Sequence, residues 1–386
     1  MLERAFTGQS RYQLWLAGLL IPIAVGLACY YNQYTHGLGI TGMSRDVIWG
    51  FYIAQFTFLV GVAASAVMVV LPFYLHNSRE FGRIVILGEF LAVAAVIMCV
   101  LHIFADLGQP TRVLNVLLHP APQSVMFWDM IVLNGYLVLN LVIGWTTLDC
   151  ERNGSKPPGW IKPLVYLSIP WAVAIHTVTA FLYCGLPARH LWLTALLAPR
   201  FLATAFAAGP ALLILLCLLL KKTAGFDAGA EALRKLSITV TYAMIANVFF
   251  ILLEFFTAFY CGVPSHRHDF DYLFFGFEGH TRMVPFMWAS LATAVASIPV
   301  LMASIRRRTH LLLAIACGMV FLSTWMDKGL GLIAGGFAIT PMDTVADYAP
   351  TLPEILISVG IYAGGALLLT LLYKIVLSVR EESPGV

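Results

Sequence analysis

Ile84–Phe104 reads IVILGEFLAVAAVIMCVLHIF, and this stretch decides the fold. A strand would alternate apolar and polar residues, and a helix on a soluble core would show a polar face every third or fourth residue. This run does neither. Only Glu89 and His102 interrupt it with ionisable groups. At 1.5 Å per residue its helix is about 30 Å long, the thickness of a bilayer's hydrocarbon core.

Nine similar runs flank it, so the chain reads as an all-α integral membrane protein of about ten transmembrane helices. The predicted spans are Gln13–Gln33, Val47–Leu75, Ile84–Phe104, Val125–Thr147, Pro163–Gly185, Phe201–Leu220, Leu236–Cys261, Val284–Ile305, Leu311–Trp325 and Ile355–Leu377. The second is long enough to tilt, and the ninth is short, with a possible continuation past Asp327 into Leu330–Ile333. Composition agrees: 60% of the 386 residues are hydrophobic and 11% are charged, against about 25% charged in soluble domains. The net charge of +3 says little about partners, and no nucleic-acid partner is expected. Arg4 and Arg11 precede the first run, but it is too long for a signal-peptide core and no A-x-A site follows. An uncleaved first helix is expected.

Lys and Arg set the orientation. About sixteen of the 23 fall on one side, among them Arg79, Arg83, Arg152, Lys221, Lys222, Arg234 and Arg306–Arg308; the other side holds Arg45, Arg112, Arg189, Arg200, Arg267, Arg282 and Lys328. Positive charge stays inside, which predicts a cytoplasmic-membrane protein with both termini cytoplasmic. Trp49, Trp128, Trp192, Trp288 and Trp325 then lie near outer ends, and Trp15, Trp145 and Trp160 near inner ends, as two aromatic belts. The long loops Asp106–Ser124, Gly262–Met283 and Asp327–Glu354 face outward, where a protein partner is expected to dock.

A weak repeat is visible. Spans two and six carry small-residue runs (Gly61–Ser65; Ala207–Gly209), spans three and seven carry Asp106 and Glu254 near their ends, and spans four and eight begin with Met, Phe and Trp close together. The repeat predicts two four-helix bundles, spans two to five (47–185) and six to nine (201–325), with one flanking helix at each end (13–33 and 355–377). The small residues read equally well as plain close packing.

Ionisable groups inside a bilayer cost about 2.5–3.5 kcal/mol each at the centre, so each needs a reason. The candidates are Glu89, His102, Asp129, His176 and Glu254, with Asn134, Asn140 and Asn247 between them. Helix rise puts Glu89 roughly 10 Å in from the cytoplasm and the other four in the outer half. Each has a plain alternative: Asp129 could cap a helix start, His102 could bond a carbonyl, and His176 and Glu254 could only tie helices together. As a set, a His and an Asp at similar depth on consecutive helices suit a quinone head, which needs a hydrogen-bond donor and a group that exchanges protons. Glu89 and the Asn groups could extend a proton path inward. Two other readings stay open. A b-type haem needs facing histidines, and His102 and His176 differ in depth by roughly 10 Å. A secondary transporter suits repeats and buried acids, but no interrupted helix pair stands in matching positions. The seven cysteines form no CxxC or CxxCH, so no covalent haem or iron–sulfur cluster is expected in this chain.

Ala105-Asp106-Leu107-Gly108-Gln109-Pro110 with Arg112, and Trp49-Gly50-Phe51-Tyr52-Ile53-Ala54 with Gly61, resemble motifs of the NrfD/PsrC family of quinone-interacting membrane subunits. Met326–Ile333, Gly336-Phe337, Tyr348-Ala349-Pro350-Thr351 and Glu354 are similar to the ten-helix branch typified by HmcC and by DsrP of the sulfite-reductase-associated complex, which usually has Glu where Asp327 stands. The resemblance implies the two-bundle fold, a chain without its own redox cofactor, and a quinone, menaquinone by expectation, bound near the outer face. It implies electron exchange with a periplasmic ferredoxin-like iron–sulfur subunit, in a complex that also holds cytochrome b and c subunits and a cytoplasmic iron–sulfur subunit and serves sulfur metabolism. It assigns the quinone to His102 and Asp129, and a hallmark loop to Asp106, Gly108, Pro110 and Arg112. His266, Arg267, His268, Asp269 and Asp271 on an outer loop are docking candidates, though such charge clusters are usually just solvated.

Overall fold

The computed structural model describes residues 2–76, 78–342 and 344–382. Among them are ten helices long and apolar enough to cross a membrane: α1 (Ser10–His36), α2 (Phe51–Leu75), α3 (Val85–Asp106), α4 (Val125–Arg152), α5 (Ile161–Cys184), α6 (Leu197–Ala224), α7 (Ala230–Tyr260), α8 (Val284–Arg307), α9 (His310–Ala338) and α10 (Leu352–Glu381). The described residues form isolated β-bridges but no sheet. The molecule is therefore the all-α membrane protein that its hydropathy predicts.

Neighbour follows neighbour around two rings. Helices α2, α3, α4 and α5 touch in turn, and so do α6, α7, α8 and α9. The rings meet where α2 packs on α6 and α9, and the small-residue runs are what let them approach. A Cβ built on Gly209 of α6 would sit 2.7 Å from the Ser65 backbone nitrogen of α2. Helix α2 is interrupted at that contact, running as Phe51–Ala63 and then Val67–Leu75. Helices α1 and α10, at opposite ends of the sequence, pack on each other, and α10 also packs on α3. Their crossing is glycine on glycine: a Cβ on Gly26 would lie 2.9 Å from the Gly360 Cα, and the reverse holds too.

Helix α9 departs from its predicted bounds. It runs through Asp327 and Lys328 to Ala338 by way of a π-helical segment, Trp325–Gly331. Asp327 and Lys328 were expected in an outer loop, but both are buried inside the helix. The wider π turn, a frequent feature of functional sites, sets Asp327 toward α6 and α7 and Lys328 toward α2 and α6. At the long-loop face, His280 binds Asp347 at 2.5 Å and the Tyr272 hydroxyl donates to the same carboxylate at 2.8 Å, tying two loops together.

Candidate functional site

His102 sits late on α3, on the side that meets α10. Its Nδ1 donates to the Met98 carbonyl at 2.8 Å. A carbonyl can only accept, so the ring is held as the tautomer whose Nε2 is an acceptor. That Nε2 is buried and has no partner among the described residues. The ring lies edge-on to Tyr362 of α10, with centroids 5.6 Å apart. The Tyr362 hydroxyl and the Trp325 indole both donate to Gln55 Oε1, each at 2.8 Å, and the Gln55 Nε2 has no partner. One helical turn from His102 is Asp106, and one turn from Tyr362 is Ser358; Asp106 Oδ1 and Ser358 Oγ are also buried and unpartnered. Native structures leave few buried polar atoms unpaired. Four gather here, three on the seam of α3 and α10 and one on Gln55 of α2.

The seam leads toward solvent. The Tyr52 hydroxyl donates to Gln33 Oε1 at 2.5 Å, and Gln33 Nε2 donates to the Ala105 carbonyl at 2.7 Å. Gln33 also lines a cavity of about 430 Å³ with Tyr30, Leu38, Leu107, Gly108 and Pro110. The hallmark loop is thus a wall of this cavity. Gly108 packs closely here, since a Cβ there would be 3.3 Å from the Leu38 methyl. Arg112 is exposed beyond it.

Asp129 belongs to a second polar compartment. Its Oδ1 accepts from the Thr179 hydroxyl of α5 at 2.6 Å, so it joins two helices and is no helix cap. His176, Thr179 and Tyr183 share one face of α5; the Tyr183 hydroxyl bonds Thr57 of α2, and neither nitrogen of the fully buried His176 has a partner. His102 and Asp129 share no hydrogen bond, because His102 turns toward α10 and Asp129 toward α5. Lys328 lies within Coulombic reach of His176 and of Cys99 on α3, and Asp129 within that of Cys99.

Four charges close this compartment. Arg200 of α6 pairs with Glu254 of α7 and, at 2.6 Å, with Asp327 of α9. Lys328 stacks its ammonium over the Phe201 ring, 4.2 Å from the centroid, and reaches the Phe201 carbonyl at 3.5 Å. Gly61 makes room, since a Cβ there would be 3.3 Å from Lys328 Nζ. Two cations and two carboxylates sum to zero, which is how a bilayer interior tolerates them. Of the four, the sequence marked Glu254 alone as a buried charge; Arg200 and Lys328 were counted among outer-loop cations.

Residues 39–340 match the family described as Polysulphide reductase, NrfD. The chain belongs to this family. It is 27% identical to a putative dimethyl sulfoxide reductase membrane subunit from Halobacterium salinarum, covering 92% of this chain and 88% of that one. It is 22% identical to the Hdr-like menaquinol oxidoreductase integral membrane subunit of Archaeoglobus fulgidus, over 51% and 48% of the two chains. It is 21% identical to the menaquinone reductase integral membrane subunit of Nitratidesulfovibrio vulgaris, over 95% and 91%.

The remaining sequence candidates of this NrfD chain fall in several places. Glu89 is buried with both carboxyl oxygens unpartnered, beside Gly144. Asn247 is buried with its Oδ1 free, and Asn140 donates to the Tyr136 carbonyl at 2.8 Å. Asn134 does not join them: it is exposed on the outside of α4 and bonds its own helix at Met130. On the loop between α7 and α8 Arg267 pairs with Asp271 at 3.4 Å and His266 tilts against Phe270. The His268 ring lies on Phe277. Asp269 is only 3% exposed, so a docking role for its side chain is corrected. Burial pushes its carboxyl up to about 8, against the opposing pull of the Leu191 backbone and Arg189. Gln33, Gln55, Ser358 and Tyr362 are not marked as site residues by a search for acids, histidines and asparagines, and Tyr52 appears only within the Trp49–Ala54 motif. Gln55 was the visible signal, an amide inside an apolar run.

Proposed function

We propose that this chain is the quinone-site subunit of a membrane oxidoreductase, and that the quinone head enters the α3–α10 seam beside His102. The unpartnered polar atoms of His102, Asp106 and Ser358 on that seam, with Gln55 of α2 beside them, carry the reading. A quinol gives up two protons and two electrons in becoming a quinone, and takes them back in the reverse direction. His102 Nε2, held as an acceptor, suits a quinol hydroxyl. Once it has taken that proton it is a donor and suits the quinone carbonyl. Gln55 Nε2 and Ser358 Oγ supply further hydrogen bonds, and Asp106 a second acceptor. The cavity walled by the hallmark loop gives protons a way to the long-loop face. Asp129 acts one compartment away, as a proton-exchanging group bonded to Thr179 and not as a direct partner of His102. His176, Glu254, Asn247 and Glu89 extend that polar track.

The long-loop face is outward in this reading, since the opposite face carries most of the Lys and Arg. Electrons then pass to or from a ferredoxin-like iron–sulfur subunit on that side, within a complex holding cytochrome b and c subunits and a cytoplasmic iron–sulfur subunit, and the carrier is menaquinone. The names of the Archaeoglobus and Nitratidesulfovibrio relatives support the carrier.

The test is titration of the purified complex with a fluorescent quinol analogue, heptyl-hydroxyquinoline N-oxide, with turnover measured alongside. His102→Leu is expected to weaken binding at least about tenfold, the loss of one hydrogen bond of about 1.5 kcal/mol to a buried partner. Asp129→Asn is expected to lower turnover with the complex intact. Unchanged binding in His102→Leu would remove the seam as the site, and unchanged turnover in Asp129→Asn would remove that residue's role.

A further inference from the structure

The face opposite the long loops holds a cavity that the quinone chemistry does not use. It is small, about 100 Å³, and lies where three helix ends converge: the start of α7, the end of α8 and the start of α9. Pockets for organic cofactors run to roughly 300–1,000 Å³; this one has room for a single small polar group. Its rim carries Arg234, Arg308 and His310, and its walls include the apolar Leu233 and Leu313. Lys221, which pairs with Asp227 at 3.6 Å, donates to His310 Nε2 at 3.4 Å from the side. Glu231 also lines it, but its charge is taken up by Arg234 at 3.0 Å. Among the described residues Arg308 has no carboxylate partner, and neither do its neighbours Arg306 and Arg307.

Arg308 is held where an arginine is strained. Its φ of 52° and ψ of 37° put it in the left-handed region, which residues with a Cβ seldom occupy. Such strain persists where surrounding structure or function demands it. Here it ends α8 and sets a guanidinium at the mouth of the cavity. Neither α7 nor α9 has a side-chain cap at its start, so backbone N–H groups of two first turns add to the cationic rim. The position is that of a headgroup layer, with Leu311 and Met302 exposed alongside.

We infer that this cavity binds the phosphate of an anionic glycerophospholipid, with its acyl chains lying along the exposed apolar surface of α8 and α9. Basic pockets between membrane helices are a recognised mode of such binding, and the occupant follows from charge and position: Arg308 without a carboxylate partner among the described residues, a Glu231–Arg234 pair that cancels, two uncapped helix starts, and an opening at the helix ends.

The test is native mass spectrometry of the delipidated full chain, titrated separately with cardiolipin, phosphatidylglycerol, phosphatidylcholine and inorganic phosphate. The expected result is saturable binding of the two anionic lipids at least tenfold tighter than of phosphatidylcholine. Arg308→Gly should lose that preference while folding at least as well, because glycine adopts the left-handed conformation freely; Arg234→Gln should weaken it less. Equal affinity for phosphatidylcholine would overturn the proposal, as would an Arg308→Gly chain with unchanged selectivity. Inorganic phosphate competing at the same concentration as lipid would assign the cavity to a free anion and overturn the lipid.

Discussion

Removing the Arg200 side chain should cost this protein more stability than removing the carboxylates together with it. Arg200 is 14% exposed and its partners Glu254 and Asp327 are 6% and 7% exposed, so none of the three charges is well hydrated. Breaking a buried pair by deleting one partner costs about 3–5 kcal/mol, because the other charge stays behind. Arg200→Met strands two carboxylates, with only Lys328 left to offset one of them. The net expectation is about 3–5 kcal/mol, which at roughly 2–4 °C per kcal/mol lowers the melting temperature by on the order of 10 °C. The triple change Arg200→Met, Glu254→Gln, Asp327→Asn removes the stranded charges and should recover most of that loss, since buried ion clusters replaced as a unit are often near neutral. Glu254→Gln with Asp327→Asn should do worse than the triple, because it leaves Arg200 and Lys328 as two unpaired cations. Thermal unfolding followed by size-exclusion chromatography of a fluorescent fusion in detergent reads all four chains. If Arg200→Met melts within about 2 °C of the parent, or the triple melts no higher than the single, the four charges are not the self-neutralising cluster described here.

Three further outcomes follow from particular contacts. Asp269 holds its proton up to about 8 in the folded chain against 3.8 as an ordinary carboxyl; its contribution is fully present below about 4 and is lost as pH rises toward 8. That span is worth up to roughly 6 kcal/mol, so Asp269→Asn should flatten the fall of melting temperature between those pH values. Gly336→Ala would drive a methyl to within 2.0 Å of the fully buried Trp192 ring; a loss of about 3 kcal/mol or more is expected, seen as reduced monodisperse yield. Glu354 accepts from Tyr348 at 2.6 Å, from the Gly42 and Thr351 amides at 2.8 Å each and from the Thr351 hydroxyl at 3.0 Å; Glu354→Ala leaves several donors unpaired at about 1–3 kcal/mol each, and limited proteolysis should then cut first near residues 41–51.

The sequence was legible wherever a property is local. Ten spans could be read because each is a continuous apolar run, and His102, Asp129, Glu89 and Glu254 could be picked out because each interrupts one. What one residue faces is not local. His102 and Asp129 sit at similar depth on consecutive helices, and that alone suggests a pair; the structure turns them toward α10 and α5, which their separation along the chain could not reveal. The pairing of α1 with α10 depends on Gly26 and Gly360, two small residues more than three hundred positions apart, and neither is unusual in its own run.

The charges on α6 and α9 show why hydropathy misplaces such residues. A scale scores Arg200, Asp327 and Lys328 as if each met lipid alone, and on that basis it ends one helix early and starts another late. In the folded chain the cost is set by sums over contacts: Arg200 meets Glu254 54 residues away and Asp327 127 residues away, and Lys328 meets an aromatic face and a carbonyl. The π turn is part of the same logic, since it carries α9 onward through Asp327 and Lys328 with both side chains buried. A charged stretch at the end of an apolar run is therefore ambiguous between a loop and a buried cluster until its partners are known. The partner to seek is an opposite charge at the matching end of another span. By that criterion Glu254, late in α7, called for a cation at the long-loop end of a neighbouring helix, and Arg200, in the first turn of α6, was the residue placed to meet it.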